Sequence, residues 1–260
     1  MLRTTKLTFV SPQLPESFNG LTITQFSDTH IGPNYSLKQF QKLVNKINQL
    51  NSDLVFFTGD LIDAPNEFHQ HVQVTELMKH IRAPLGKFAI YGNHDHGGYG
   101  SELIKELMNS SGFHLLVNDH IKINKPNAEA IYIAGIDDLM LGRPDIDQTL
   151  HGLSKDSFVI GLAHEPDIAD DFADRRILNI QLSGHSHGGQ VQIPFFGPLI
   201  TPPYATKYVE GIYPFPDSMM LYVNRGIGTT REPYRFLSIP ELTVITLRTG
   251  SKQTMVKSSK

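Results

Sequence analysis

The sequence predicts an α/β fold in which a largely parallel β-sheet is covered by helices. Two observations carry that prediction. Short apolar runs alternate with stretches of helical period through the first half of the 260-residue chain, the pattern of repeated strand-helix-strand units. Nearly every apolar run then closes on a polar, Gly-punctuated motif, as expected where strand ends converge on one rim of a sheet.

Taken in order, residues 21–26 (LTITQF) read as a strand delivering Asp28 and His30, and residues 36–50 place Phe40, Leu43, Val44, Ile47 and Leu50 at helical spacing. The unit repeats. Residues 54–57 (LVFF) form a short apolar strand ending at Gly59-Asp60, a mostly helical stretch runs to about Ile81, and residues 88–91 lead to Gly92-Asn93-His94. A third helix is predicted over 101–108. Further strands are predicted at 120–123, 131–134, 158–162, 177–182 and 221–223, and 242–247 closes the fold. No composition shift, repeat or low-complexity tract marks a boundary, so one domain over residues 1–260 is expected.

Composition narrows the function. With 40% hydrophobic and 19% charged residues the chain has the balance of a soluble globular protein. A net charge of -3 and the lack of a basic stripe disfavour bulk nucleic-acid binding; the Lys-rich tail 252–260 reads as a solvated, frayed terminus. With no cysteine, disulfides and thiolate metal sites are excluded, and any metal must be held by O and N donors. The run 7–10 is too short for a signal-peptide core before Pro12 and Pro15 intervene, and no run of about twenty apolar residues predicts a transmembrane helix. A cytoplasmic protein is the expectation, with peripheral contact at a membrane left open.

The chemistry lies in seven metal-ligand-type residues, in the order Asp28, His30, Asp60, Asn93, His164, His185, His187. Individually each has an ordinary reading: Asp or Asn after a strand is turn chemistry, a lone His is a satisfied or surface residue, and Gly59, Gly92 and Gly184 mark turns. Jointly they do not. In an extended Asp-x-His or His-x-His, side chains two apart share a face and present both donors to one ion. His69-Gln70-His71 has the same spacing but no preceding strand or glycine and reads as solvated surface; His96, His114, His120 and His151 read likewise, with His96 bordering the pocket.

The blocks Asp28-Thr29-His30, Gly59-Asp60-Leu61-Ile62-Asp63, Gly92-Asn93-His94-Asp95, His164 and Gly184-His185-Ser186-His187 closely resemble the calcineurin-like metallophosphoesterases: D-x-H, G-D-x-x-D, G-N-H-[DE], H and G-H-x-H. The resemblance runs from about Ser27 to Gly189. It implies a sandwich of two mixed β-sheets flanked by helices. It implies a dinuclear centre with Asp28, His30 and His187 on one metal, Asn93, His164 and His185 on the other, and Asp60 bridging them. Two dications held about 3.5–4 Å apart turn a trapped water into hydroxide for in-line attack on phosphorus. His94, beside Asn93, then contacts the phosphate and protonates the leaving oxygen, with Asp95 fixing its tautomer and Asp63 a further acceptor behind the ligands. The purple acid phosphatases place Tyr where Asp63 stands, which argues against a tyrosinate-bound ferric ion. Four imidazoles, two carboxylates and one amide oxygen suit Mn, Fe, Co, Ni or Zn better than Ca, with Mn placed first.

The implied activity is phosphodiester or pyrophosphate cleavage on a small phosphodiester, nucleotide or lipid diphosphate; relatives with the Gly188-Gly189-Gln190 extension include enzymes that cleave UDP-2,3-diacylglucosamine. The competing reading is a scaffold of the same fold that binds metal and a partner or nucleotide without turnover. A dinuclear amide or ester hydrolase fits the Asn93-His94 pair less well. Arg225-Gly226-Ile227-Gly228 lacks the third spaced glycine and the following helix of a dinucleotide loop, although Arg225 or Arg235 is placed to touch a substrate phosphate. Residues 193–200 (IPFFGPLI) read first as a loop capping the core, and otherwise as an apolar wall for a lipid or base.

Overall fold

The computed structural model describes residues 2–97, 100–125 and 129–258. Its first half runs β1 (Arg3–Ser11), β2 (Thr22–Phe26), α1 (Leu37–Gln49), β3 (Leu54–Phe57), α2 (His71–Lys79), β4 (Lys87–Ala89), α3 (Asn93–His96), α4 (Ser101–Ser110) and β5 (His114–Leu115). The second half runs β6 (Asp119–Ile123), β7 (Ile131–Gly135), α5 (Ile146–Thr149), β8 (Phe158–Leu162), α6 (Ala169–Arg175) and β9 (Ile180–Ser183). The hairpin β10 (Gln192–Ile193) and β11 (Gly197–Pro198) follows, then β12 (Gly211–Pro214), β13 (Met220–Val223), β14 (Glu241–Thr249) and β15 (Thr254–Lys257).

Two mixed sheets result. The first has the order β15-β1-β14-β2-β3-β4-β5, parallel from β2 to β5, with β14 antiparallel to β2 and parallel to β1. The second has the order β12-β13-β9-β8-β7-β6, parallel from β13 to β7 with an antiparallel strand at each edge.

Every residue of β3 is buried, which explains its unbroken apolar run: Leu54 and Phe56 face the second sheet, while Val55 and Phe57 face helices. Leu7, Phe9 and Ile23 of the first sheet pack with Ile133, Ile160 and Leu182 of the second, forming the core between the sheets. On the outer side of the first sheet lie α1, α2 and α4, with Phe40, Leu43, Val44 and Ile47 forming the buried stripe of α1. Ser36 and Gln39 start that helix with a reciprocal capping box. Helix α6 covers the second sheet through Ala169, Phe172 and Ala173.

Three differences from the sequence reading have clear causes. β1 carries no element there because its polar alternates dilute the apolar run; in the fold Leu7, Phe9 and Ser11 turn inward while neighbours turn out. The predicted helix after Asp60 begins only at His71, since residues 61–70 carry the loop that presents Asp63. The strand at 242–247 is internal to the first sheet, between β1 and β2. Among the described residues, no helix is long and apolar enough to cross a membrane.

Candidate metal centre

Strands β2, β3 and β9 stop at Phe26, Phe57 and Ser183, one or two residues before their motifs, and the donor residues sit on the loops that follow. Asp28, His30, Asp60, His185 and His187 all adopt left-handed backbone, with φ of 51°, 44°, 63°, 66° and 51°. This corrects the extended Asp-x-His and His-x-His geometry: the chain curls at each donor. Asp and His tolerate this region better than most side chains, yet each such residue costs about 1–3 kcal/mol and persists only where surroundings hold it. Here the loops hold one another. Asp28 N–H donates to Gly59 O at 2.9 Å, His30 N–H to Asp60 O at 3.2 Å, and His185 N–H to both Asp28 carboxylate oxygens at 3.1 Å. At Gly92 any Cβ would meet Asp60 and His164, and at Gly184 it would meet Ser27 and Asp28, so these glycines are requirements of the site as much as turn residues.

The side chains converge in three overlapping groups: Asp28, His30 and His187; His30, Asp60 and His94; and Asp60, His164 and His185. Within each group, one donor atom per residue lies within 4.8 Å of the others. Asp60 Oδ2 lies 3.5 Å from His30 Nε2 and 3.3 Å from His164 Nε2, and thus belongs to both ends of the cluster. His187 Nε2 stands 3.4 Å from Asp28 Oδ1 and 3.0 Å from His30 Nε2. Asn93 Oδ1 is buried without a hydrogen-bond partner and His164 Nε2 faces the Asp60 carboxylate, an arrangement suited to donors aimed at a cation. Imidazoles, carboxylates and an amide oxygen around one shared carboxylate fit two divalent ions.

On three of the histidines the outer nitrogen donates to a backbone carbonyl, which fixes the nitrogen turned inward. His164 Nδ1 donates to Thr58 O at 2.6 Å, His185 Nε2 to Pro203 O at 2.9 Å, and His94 Nδ1 to Asp63 O at 2.6 Å. His30 Nδ1 lies 3.2 Å from Asp63 Oδ1. His187 differs: its Nδ1 accepts from Arg235 Nη2 at 2.9 Å.

The expectation that Asp95 orients His94 is corrected by these contacts. Asp95 accepts instead from the backbone N–H groups of Asp60, Leu61 and Gly92 at 2.8, 3.0 and 2.9 Å, clamping two donor loops together, while Asp63 faces the His94 ring. Burial, with the Asp60 charge next, pushes the Asp95 carboxyl up to about 6.

Burial, and then the charge of His164, pulls His185 down to about 4; burial, His30 and Arg235 hold His187 well below the usual range, so both favour the neutral form, with the His185 proton on Nε2 toward Pro203 O and the His187 proton on Nε2, opposite the nitrogen that accepts from Arg235. Burial disfavours charge on His164, but Asp60 and Asp28 outweigh it and hold this histidine well above its ordinary value. Burial likewise acts to lower His94, and Asp60 with the Asp63 carbonyl overrides it, leaving His94 raised.

The cluster opens into a cleft of about 380 Å³ lined by His30, Asp60, Asn93, His94, His185 and His187 at its base and by Leu199, Ile200, Pro202 and Tyr234 on its walls. Neither arginine is free for a phosphate. Arg225 is held by Glu210 and Glu241, and Arg235, half-buried and lowered to about 10 by loss of water around its guanidinium, donates to Gly228 O, Arg225 O and His187 O. Arg235 as the support behind His187 was missed by sequence reasoning; no motif marks it. Glu165 precedes a helical turn without capping it; its carboxyl meets Asp138 and accepts from Leu139 N–H at 3.1 Å. His96 ties Ser101 to Asp137, at 2.7 Å from each, rather than lining the cleft. Residues 193–200 do not cap the core: Phe195 is 105% exposed and Phe196 87%.

A two-sheet sandwich with donor loops gathered on one rim defines a phosphoesterase architecture, and the comparisons agree. The family model "Calcineurin-like phosphoesterase" matches residues 21–189, and the chain belongs to that family. It is 47% identical over 248 residues to the metallophosphoesterase YkuE of Bacillus subtilis, covering 95% of this chain and 86% of that one. It is 34% identical over 247 residues to a zebrafish transmembrane protein with a metallophosphoesterase domain, covering 91% of this chain and 55% of that one. The UDP-2,3-diacylglucosamine pyrophosphatase LpxG of Chlamydia trachomatis is 27% identical over 300 residues, covering 93% and 88%. Among solved structures, TT1561 of Thermus thermophilus superposes with a TM-score of 0.51 at 12% identity, over 80% of this chain and 90% of that one, a likeness of fold.

Proposed function

We propose that this protein is a dinuclear metal-dependent phosphoesterase of one domain that cleaves phosphodiester or pyrophosphate bonds. The observation that carries the reading is the Asp60 carboxylate, within 3.5 Å of His30 Nε2 and 3.3 Å of His164 Nε2, at the junction of two donor groups. Asp28, His30 and His187 would hold one ion, Asn93, His164 and His185 would hold the other, and Asp60 would serve both. Mn suits this set, with Fe, Zn, Co and Ni as alternatives. When bound, two such ions lower the pKa of a water and neutralise charge on the phosphoryl oxygens.

The chain's own residues supply the rest. His94 N–H donates to Asp60 Oδ1 at 2.8 Å, and its Nδ1–H is committed to Asp63 O, so Nε2 is the atom left to face a phosphate. Its raised pKa keeps a proton there for the leaving oxygen. Asn93 and His94 together form the polar floor of the cleft, while Leu199, Ile200 and Tyr234 form an apolar wall that suits the base or acyl part of a nucleotide or lipid diphosphate. The Chlamydia relative, a pyrophosphatase by name, supports a diphosphate substrate.

The test is hydrolysis of bis-p-nitrophenyl phosphate by chelator-stripped protein with and without Mn2+, beside p-nitrophenyl phosphate. Metal-restored diester cleavage with little monoester cleavage is expected. Silence on both substrates across Mn, Fe, Co, Ni and Zn would overturn the reading.

A further inference from the structure

Large apolar side chains are exposed on two segments that meet at the cleft mouth. Phe195, Phe196, Leu199 and Ile200 come from the β10–β11 hairpin and the loop after it; Tyr234 and Phe236 come from the loop before β14. Backbone bonds join the segments: Gln192 N–H donates to Phe236 O at 2.9 Å and Phe236 N–H to Gln190 O at 2.9 Å. No Asp, Glu, Lys or Arg occurs between His187 and Lys207, and in residues 233–240 the single charged residue, Arg235, is half-buried with its guanidinium tied to backbone carbonyls, while Arg231 and Glu232, exposed at the cleft mouth beside Tyr234, carry opposite charges. A contiguous apolar face of this kind is uncommon on a monomer and marks a binding surface.

We propose that this rim docks the protein on a lipid bilayer, hairpin tip first, so that the metal cleft opens onto the membrane surface. Three features favour a lipid phase over a folded partner. The Phe195–Phe196 tip projects fully into solvent, and a projecting pair of rings needs a soft apolar phase or a matching socket. Beyond the Arg231 and Glu232 pair at its edge, the rim lacks the exposed charges that give protein interfaces their register and polar edge. The apolar surface also continues from the tip through Leu199 and Ile200 into the cleft wall, a path along which an acylated substrate stays shielded from water. Docking stands on the exposed rim alone; its use to present an acylated phosphodiester to the cleft rests on the function proposed above.

The test is co-sedimentation of the full chain with large vesicles of phosphatidylcholine, with and without phosphatidylglycerol, at low and high salt. Binding to both compositions with little salt dependence is expected, because the exposed charges at the rim, Arg231 and Glu232, are of opposite sign. Phe195 has φ 70°, so Phe195→Asn keeps a residue that tolerates this backbone; combined with Phe196→Ser it should weaken partitioning at least about tenfold. Neither residue lines the cleft, so bis-p-nitrophenyl phosphate turnover should stay at the wild-type rate and report an intact fold. In Phe196→Trp, indole emission should shift to the blue on adding vesicles. Wild-type protein left in the supernatant, equal pelleting of the double variant, or a wild-type dimer that the double variant dissociates without any vesicle binding would each overturn the proposal. Failure of the phosphoesterase reading shows separately, as absent diester cleavage with pelleting unchanged.

Discussion

The two sheets contribute to the metal cradle in different ways. The candidate donors on the loops of the first sheet, Asp28, His30, Asp60 and Asn93, and the neighbouring His94 are backed by carboxylates belonging to the same motif blocks. Asp63 stands behind His30 and His94, and Asp95 grips the backbone of Asp60, Leu61 and Gly92. Donors on the loops of the second sheet borrow their support from elsewhere: His164 from the Thr58 carbonyl, His185 from Pro203, and His187 from Arg235. One half is thus self-contained in sequence, and the other becomes complete only when distant segments arrive. The lesson is that a ligand can be announced by a motif while the residue that holds it in place is not.

The largest effect tests the junction of the two halves. Asp60→Ala should remove the shared carboxylate, reduce bound metal by elemental analysis and lower diester turnover by at least about three orders of magnitude. Retention of two equivalents of metal would break the idea that the halves share a ligand. Next, His94→Ala should leave metal content unchanged while turnover falls about 100-fold or more, the scale of a lost general acid. Full activity would refute its assignment.

A smaller change probes the borrowed support. Arg235→Gln should change the affinity for the ion held with His187 about 10–100-fold, because the group behind a ligand sets which ring nitrogen carries the proton, while the other ion is retained. Metal titration followed by calorimetry separates the two. Equal loss of both ions would mean that the halves are not independently supported.

The smallest effect concerns Glu165, buried beside Asp138. Burial, and then the hydrogen bond with Asp138, holds its carboxyl well above the ordinary value, so the folded state keeps a proton that the unfolded chain releases. Its stabilising contribution is therefore fully present below the unfolded value of 4.5 and is lost as pH rises toward the folded value. Glu165→Gln mimics the protonated form. In chelator-treated protein it should raise Tm by about 2–4 °C at pH 8, for roughly 1 kcal/mol, and by little at pH 4.5. A constant offset across pH would show that Glu165 is not held protonated.

Much of this arrangement was legible because local chemistry and final position coincide. The strand before Asp28, the α1 stripe and the all-apolar β3 follow from periodicity and burial on one or two faces. The donor blocks were legible because ligands gather after strand ends. What stayed hidden depends on the rest of the molecule. The left-handed backbone at Asp28, His30, His185 and His187 is imposed by neighbouring loops, and no residue-level preference for extension survives it. Asp95 adjoins His94 in sequence yet turns away, because three buried N–H groups on other loops need an acceptor more than the imidazole does. The 193–200 loop looked like core because it is apolar, and composition alone does not distinguish an inward-facing run from an outward-facing one.

β14 lies between β1 and β2, pairing Arg3 with Glu241 and Ile23 with Ile245. On the ribosome every donor up to His187 has been synthesised well before that strand appears, yet the strand carrying Asp28 still lacks its neighbour. The earlier units, β2 to β5 with their helices, can fold as they emerge, whereas β1 must wait, unpaired, until β14 and β15 arrive. Completion of the first sheet therefore follows synthesis of every donor loop, and the emerging chain carries an open sheet edge until β14 docks.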